Sequence, residues 1–252
     1  MKVIAIANQK GGCAKTTTAV NLAAALAASD LRVLLIDLDP QCNASQWLGI
    51  SPGTLGAFNA LTTKDEISAL VASSSVIGVS VMPASRELAY LEKALAGELA
   101  IESRLKRRLA TLDDAHWDYV LIDTPPTLGL LTLNALTAAQ ELLVPVTTQV
   151  MTLSGVAQLM QTFEEVRDCL NPTLNLLGLV PSRVDLRTRN AQDILAALIE
   201  RFGDKVFKAM IHESVRLAES PSFQQSILQY KPNSGSAGDY RALALELITR
   251  TN

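Results

Sequence analysis

Residues 3–17 read VIAIANQKGGCAKTT, an apolar run followed at once by a loop rich in glycine and lysine. The run Val3–Ala7 has the length and composition of a buried strand, and the apolar pattern of Lys15–Ala28 predicts a helix. Backbone N–H groups in a loop between a strand and a helix, together with the helix N-terminus, bind anions. The start of the chain is therefore predicted to be a phosphate-binding unit.

The residue types of this loop suit a nucleotide phosphate. Gly11 and Gly12 let the backbone close around phosphate oxygens. Lys15 would neutralise the β- and γ-phosphates, and the Thr16 hydroxyl would be a ligand of Mg²⁺.

The spacing of the loop differs from the standard P-loop pattern GxxxxGK[ST]. Counting back from Lys15 places Gln9 and Ala14 where that pattern has glycines, and a second lysine, Lys10, stands five residues ahead of Lys15. A glycine- and lysine-rich surface turn is the alternative interpretation. The strand and helix patterns on either side favour the phosphate loop.

Short apolar runs alternate with helical patterns along the rest of the chain. The predicted strands are Val3–Ala7, Arg32–Asp37, Val76–Met82, Tyr119–Asp123, Glu141–Val146, Leu174–Val180 and Val206–Met210. The predicted helices are Lys15–Ala28, Ser85–Asp113, Leu128–Ala138, Leu153–Leu170, Asn190–Phe202 and Ala237–Thr249, and Lys231–Gly238 is the segment closest to a flexible one. Continuous apolar strands that alternate with helices predict a doubly wound α/β fold, with a mostly parallel sheet covered by helices on both faces.

Composition limits the class of protein. The 252 residues, 48% of them hydrophobic, suit a single domain over 1–252. No apolar stretch reaches the ~18 residues of a transmembrane helix, and the N-terminus does not resemble a signal peptide. Three widely spaced cysteines predict neither disulfides nor a zinc site and favour a reducing cytoplasm. The net charge of −3 argues against nucleic-acid binding, yet residues 180–252 hold ten Lys/Arg against eight Asp/Glu.

Acidic residues follow two other predicted strands. Asp37 and Asp39 flank Leu38, so their side chains point the same way in an extended chain. Asp123 ends the run before Thr124-Pro125-Pro126. Ligands bind at the carboxyl ends of strands in doubly wound sheets, so these carboxylates are candidates for holding Mg²⁺. Each aspartate taken alone is explained equally well as a turn or helix cap.

The loop sequence KGGxxKTT resembles the deviant Walker A motif of the ParA/MinD family of P-loop ATPases. The segments LLIDLDPQ, VLIDTPPTLGLLTLNAL and VRLAESPS extend this resemblance, to the Soj-like ParA branch, over nearly the whole chain. The resemblance implies ATP and Mg²⁺ as cofactors. Nucleotide contacts are implied for Lys10, Gly11, Gly12, Cys13, Ala14, Lys15, Thr16, Thr17, Pro181 and Arg183. Magnesium is implied for Thr16, Asp37 and Asp123, and catalytic roles are implied for Lys10, Lys15 and Asp39.

Three further implications of the resemblance are specific to the family. The resemblance implies that Asp39 orients the attacking water, and that Lys10 reaches the partner's nucleotide in an ATP-sandwich homodimer. It also implies slow ATP hydrolysis that a partner protein stimulates. Ala14 and Cys42 stand where the family has glycines, which leaves the turnover rate open.

A DNA-binding surface is implied near the end of the chain. In the Soj-like branch, the segments matching DLRT and VRLAESPS bind DNA without sequence preference, and Arg187 and Arg216 are the basic positions here. Such binding is strongly salt-dependent. The alternative is that these arginines pair with Asp185, Glu213 or Glu219 on an ordinary solvated face.

The resemblance implies a cytoplasmic, nucleoid-associated switch that partitions a cargo, a chromosome or plasmid bound by a ParB-like protein. A protein cargo such as carboxysomes or chemoreceptor clusters is the alternative, because residues 147–155, TTQVMTLSG, lack the acidic residues that the Soj-like branch carries there. No N-terminal helix-turn-helix extension is expected.

Functions from other classes are less favoured. A MinD-like membrane switch needs a C-terminal amphipathic helix with a basic face, whereas the last predicted helix offers only Arg241 and Arg250 against Glu246. We therefore expect no membrane partner. An iron–sulfur reductase would need paired cysteines, and Cys42 and Cys169 do not fit. A metabolic ligase would share the loop without the arginine segments.

Overall fold

The sheet at the centre of the structure determines where the candidate site lies. The computed structural model describes residues 1–51, 53–112, 116–148 and 152–251, the last range with its backbone alone up to residue 154. Its strands are β1 Lys2–Ile6, β2 Val33–Asp37, β3 Ala72–Ser73, β4 Val79–Met82, β5 Tyr119–Asp123, β6 Glu141–Thr147, β7 Asn175–Val184 and β8 Ile211–His212.

These strands form one sheet in the order β3-β4-β2-β5-β1-β6-β7-β8. Each neighbouring pair runs parallel except β3 and β4, which are antiparallel. All residues of β2 and β5 are buried, as a parallel sheet covered on both faces requires. The mostly parallel, doubly wound sheet predicted from the sequence is confirmed.

Helices cover both faces of the sheet. In the described part of the chain they are α1 Lys15–Ala27, α2 Asn43–Trp47, α3 Ala57–Thr62, α4 Leu91–Ala94, α5 Arg104–Leu109, α6 Leu130–Ala138, α7 Thr152–Cys169, α8 Arg189–Phe202, α9 Val215–Glu219, α10 Ile227–Tyr230 and α11 Gly235–Thr251. Alternate residues of β1 enter two separate apolar clusters: Val3 and Ala5 join one, Ile4 and Ile6 the other. The second cluster also contains the inner faces of α1 and α11, which places α1 directly behind the phosphate loop.

The single long helix predicted for Ser85–Asp113 is wrong. The described residues instead form a 3₁₀ turn over Arg86–Tyr90, then α4, a second 3₁₀ turn and α5, and residue 113 lies outside the described residues. Gly97 and Ala100 adopt left-handed backbone conformations, with φ of +83° and +51°. Two such residues within four positions end any continuous helix.

The strand predicted for Val206–Met210 is also wrong: only a bridge between Leu179 and Val206 forms, and β8 begins at Ile211. The backbone N–H groups of Lys208 and Ala209 donate to the Glu246 carboxylate of α11, at 3.0 and 2.8 Å. A distant side chain therefore takes the hydrogen bonds that a neighbouring strand would have taken.

The segment Lys231–Gly238 is more ordered than its composition indicates. Helix α11 begins at Gly235, and Ser234 precedes it, its hydroxyl accepting from the N–H of Ala237 at 3.2 Å. Serine satisfies the free N–H groups at a helix N-terminus, so this segment is a helix start.

Candidate nucleotide-binding site

The loop between β1 and α1 has the geometry of an anion cradle. Gly12 and Ala14 both adopt left-handed conformations, with φ of +71° and +69°, and the carbonyl of Ala14 accepts the N–H of Thr18 at 2.8 Å as α1 begins. Apart from their chain neighbours, none of the described residues has an atom within 4 Å of where a Cβ on Gly11 or Gly12 would stand. The loop backbone therefore faces open space in front of the helix N-terminus.

Lys15 turns back along this loop. Its side chain is buried, with Nζ 3.4 Å from the carbonyl oxygen of Lys10 and 3.8 Å from the Sγ of Cys13. Burial raises the pKa of the Cys13 thiol, although the neighbouring Lys15 acts in the opposite direction. Cys13 thus packs as a small uncharged group, and the Lys15 ammonium is the cation of the cradle.

Asn8 anchors the loop to the sheet, a role that the sequence analysis did not assign. Its buried side chain donates to the carbonyl of Pro145 on β6 at 2.7 Å and accepts the N–H of Lys10 at 3.1 Å. In the sequence, the only sign of this role is the position of Asn8 between the strand and the first glycine, because its partner Pro145 lies 137 residues away.

Asp37 and Asp123 stand side by side at the carboxyl ends of β2 and β5, where they are register partners. Both are fully buried. Burial raises the pKa of Asp37 to about 6. Burial and the nearby Asp37 raise the pKa of Asp123 well above its ordinary value, against the opposing effects of Thr16 and Lys15.

The two carboxylates differ in their hydrogen bonds. Asp37 accepts from the N–H of Asp39 at 3.0 Å, and from the N–H and hydroxyl of Ser45 at 2.9 and 2.7 Å. Neither oxygen of Asp123 has a hydrogen-bond partner within the described residues. Two bare, buried carboxylate oxygens close to Thr16 fit a hard divalent cation such as Mg²⁺.

A cleft of about 540 Å³ opens in front of the loop. It is lined by Gly11, Gly12, Cys13, Ala14, Lys15, Thr16, Thr17, Asp39, Gln41, Asn43, Pro126, Arg183, Ile211, His212, Glu213, Ser214, Leu217, Ala218 and Tyr240. The structure thus brings the loop, Asp39 and Arg183 together. Of the other predicted site residues, Lys10, Asp37 and Asp123 do not line this cleft, and Pro181 lies buried in β7 opposite Val146.

The far wall of this cleft was missed by the sequence analysis. The segment 211–214 forms part of it, and Arg183 pairs with Glu213 there through two contacts, Nε–Oε2 at 2.9 Å and Nη2–Oε1 at 3.1 Å. Tyr240 of α11 closes the base and is fully buried. These residues have no common motif, and only the packing of β8 and α11 against the sheet brings them to the loop.

Comparison with known proteins identifies the family. Residues 1–176 match the model of a family described as an AAA domain. The chromosome-partitioning ATPase Soj of Thermus thermophilus is 46% identical over 248 residues, which is 98% of this chain and 95% of the relative. The chromosome partitioning protein ParA of Caulobacter vibrioides is 40% identical over 253 residues, 99% of this chain and 95% of the relative. The chain belongs to the Soj-like branch of the ParA/MinD family of P-loop ATPases.

One similar solved structure contains a bound nucleotide analogue and magnesium. Cobyrinic acid a,c-diamide synthase from Mycobacterium smegmatis, crystallised with an ATP analogue and magnesium, is 37% identical to this chain. The likeness covers 100% of this chain and 96% of the other, with a TM-score of 0.88. The ParA/MinD fold is one that binds nucleotide together with Mg²⁺, and this member is a ParA-like ATPase.

A second surface of this ParA/MinD-family chain brings the two arginine segments together. Residues 184–187 and 212–215 line a shallow cleft of about 590 Å³, and α9 follows directly. Arg187 is 90% exposed and pairs with Asp185 at 2.8 Å. Arg216, on α9, pairs with Glu219 at 3.0 Å. Both arginines are accessible, and each is partly neutralised by one acidic neighbour.

Two further expectations concern a membrane span and the segment 147–155. Within the described residues, none of the helices combines the length and apolar character that crossing a bilayer requires. Residues 149–151, part of the segment expected to differ from the Soj-like branch, lie outside the described residues.

Proposed function

We propose that this chain is an ATP-driven positioning switch, a single ATPase domain over residues 1–252 that acts in the cytoplasm on the nucleoid. ATP closes a sandwich homodimer, the dimer binds DNA without sequence preference, and a partner protein on the cargo stimulates hydrolysis and release. The observation that carries this function is the cleft that joins the phosphate loop, Asp39 and Arg183. Identity of 46% to Soj over 98% of the chain supports it.

Residues of the cleft, together with Asp123 on β5, have separate tasks in hydrolysis. Backbone N–H groups of the loop and the Lys15 ammonium bind the phosphates. Thr16 and Asp123 would hold Mg²⁺, which supplies charge neutralisation of the phosphates when bound. Asp39 is almost fully buried at the cleft, accepts the N–H of Gln41 at 2.9 Å, and orients the attacking water. Catalysis is thus positioning and charge stabilisation, with no covalent intermediate.

Lys10 is the residue proposed to act across the dimer. It is half-buried beside Gly11 and Gly12, which are exposed. A second copy that approaches this exposed loop would place its own lysine near the nucleotide held by the first. A lysine supplies a point charge there, in contrast to the two-pronged contact of an arginine.

Arg187 and Arg216 are the proposed DNA contacts, and a ParB-like protein on a chromosome or plasmid is the proposed partner. Names of the Soj and ParA relatives support this cargo. A protein cargo is the second candidate, favoured because residues 147–155 contain none of the acidic residues expected there in the Soj-like branch.

Co-sedimentation with random-sequence duplex DNA tests the proposal. The full chain is incubated with ATP or ADP and Mg²⁺, at low and moderate salt. We expect the protein to be retained on DNA with ATP and not with ADP, and we expect this retention to weaken as the salt concentration rises. Lys15→Ala is the matched control, because it loses the phosphate cation and should abolish the retention seen with ATP.

One result would contradict the switch: equal absence of DNA retention with ATP and ADP, in a sample whose nucleotide-bound dimer is confirmed by light scattering. The protein-cargo candidate predicts the same ATP-dependent DNA retention, without stimulation of hydrolysis by a ParB-like protein. Measuring hydrolysis with and without that partner therefore separates the two candidates.

A further inference from the structure

One buried serine ties the end of β2 to its surroundings. Ser45, on α2, is 3% exposed, and both its backbone N–H and its hydroxyl donate to Asp37 Oδ2. The same hydroxyl accepts the N–H of Ala84, in the chain just after β4, at 2.9 Å. The Ser45 hydroxyl is thus both a donor and an acceptor, and it connects α2 to the end of β2 and to the chain after β4.

The other oxygen of Asp37 fixes the next residues of the chain. Asp37 Oδ1 accepts the N–H of Asp39, so the carboxylate holds the turn through Leu38 that brings Asp39 to the cleft. Asp39 therefore depends for its position on Asp37, and Asp37 depends on Ser45.

Asp123 differs from Asp37 in its hydrogen bonding. It is the register partner of Asp37 on β5, yet neither of its buried oxygens has a partner within the described residues. The three donors occupy about three of the roughly four acceptor positions of the Asp37 carboxylate, which leaves a cation at most one position, on Oδ1. Asp123 has both oxygens open to a cation, so it is the better placed of the two carboxylates to hold Mg²⁺.

We propose that Ser45 is a positioning residue for ATP hydrolysis. It keeps Asp37 engaged as a hydrogen-bond acceptor, so that Asp37 orients Asp39 and leaves Asp123 as the carboxylate that holds Mg²⁺. This role deepens the proposed ATPase switch and rests on its nucleotide site, but it is independent of DNA.

Steady-state hydrolysis by the full chain, without DNA, tests the role of Ser45. Ser45→Ala should lower kcat about tenfold or more, as loss of a residue that orients a metal site does. KM for ATP should stay within about twofold, because the loss is in the transition state. Ser45→Thr keeps the hydroxyl and should recover most of kcat.

Ser226→Ala is the matched control. Ser226 is equally buried, and its hydroxyl donates to Gln229 Oε1 at 3.1 Å and accepts the Gln229 N–H at 3.3 Å, whereas the Ser45 hydroxyl donates to Asp37. It should lose stability with kcat unchanged. The proposal is overturned if Ser45→Ala keeps the wild-type kcat, if Ser226→Ala loses as much, or if Ser45→Thr gives no recovery.

Magnesium dependence of nucleotide binding gives a readout that needs no hydrolysis. The Mg²⁺ concentration for half-maximal binding of a fluorescent ADP analogue should rise about tenfold or more in Asp123→Asn. In Asp37→Asn it should change less than about threefold, below the roughly tenfold loss expected of a residue bonded to a metal ligand, because among the described residues Asp37 is bonded to Asp39 and Ser45 and not to Asp123. An equal rise in both variants would make Asp37 a direct ligand and overturn the proposal. Loss of DNA retention in the wild type would contradict the switch and leave these results unaffected.

Discussion

Two residues of the site adopt backbone conformations that glycine favours. Ala14 has φ of +69°, and Cys42, just before α2, has φ of +57°. The resemblance described above implies glycine at both positions, and glycine adopts this backbone conformation without strain. A left-handed conformation costs a residue with a Cβ roughly 1–2 kcal/mol, and this strain lies at the two loops that surround the cleft.

Ala14→Gly is therefore expected to stabilise the protein. Relief of about 1–2 kcal/mol of left-handed strain exceeds the roughly 0.4–1 kcal/mol that the freer unfolded glycine chain costs. The free energy of unfolding should rise by up to about 1 kcal/mol, measured by urea denaturation without nucleotide.

Ala28→Gly is the control for this prediction. Ala28 is exposed at the end of α1 and has an ordinary φ of −67°. Glycine relieves nothing there and should lower stability. Equal effects of the two substitutions would show that the conformation of Ala14 carries no strain.

At the scale of elements, Glu246 of α11 holds the chain that leads into β8. Its carboxylate accepts the N–H groups of Lys208 and Ala209 and pairs with Arg250 at 2.8 Å. Arg250 in turn donates to the carbonyl of Val206 at 3.1 Å and lies over a neighbouring aromatic ring. The position of β8, and with it the far wall of the cleft, depends on this helix.

Glu246→Ala should lower the free energy of unfolding by about 1–3 kcal/mol, because it leaves two backbone donors without an acceptor. Faster amide hydrogen exchange at Lys208 and Ala209 would locate the effect. Glu165→Ala, which removes an exposed carboxylate that accepts a hydrogen bond from the exposed Gln161, should change stability by less than about 0.5 kcal/mol. The role of Glu246 is refuted if exchange at those two amides is unchanged.

Elements whose structure depends on neighbours in the sequence were predictable, and those fixed by distant contacts were not. The run Val3–Ala7, the loop and α1 follow from local pattern, and so do the strand ends at Asp37 and Asp123. The segment 206–210 is also largely apolar but forms no strand, because Glu246 accepts the N–H groups of Lys208 and Ala209 and the contact with β7 stops at Phe207. Tyr240 reaches the cleft only through the packing of α11 against α1, which no local pattern encodes.

At the scale of the whole molecule, the nucleotide cleft and the arginine surface share a wall. His212, Glu213 and Ser214 line both clefts. On the nucleotide side, Arg183 forms an ion pair with Glu213 of this wall. Arg187 lines the cleft on the opposite side. A ligand that displaces Arg183 would therefore act on the proposed DNA-binding face through a single segment of chain.

Charge on that face gives the most direct test at this scale. Glu219 neutralises Arg216, so Glu219→Gln should free the arginine, strengthen ATP-dependent DNA retention and steepen its salt dependence by about one unit per added phosphate contact. Arg216→Glu should have the opposite effect while nucleotide binding stays intact. The pair Arg167 and Glu164 on α7 has the same i,i+3 spacing, so Glu164→Gln and Arg167→Glu are matched controls. If these controls shift retention as much as the α9 variants, the effect is one of net charge and the DNA-binding face lies elsewhere.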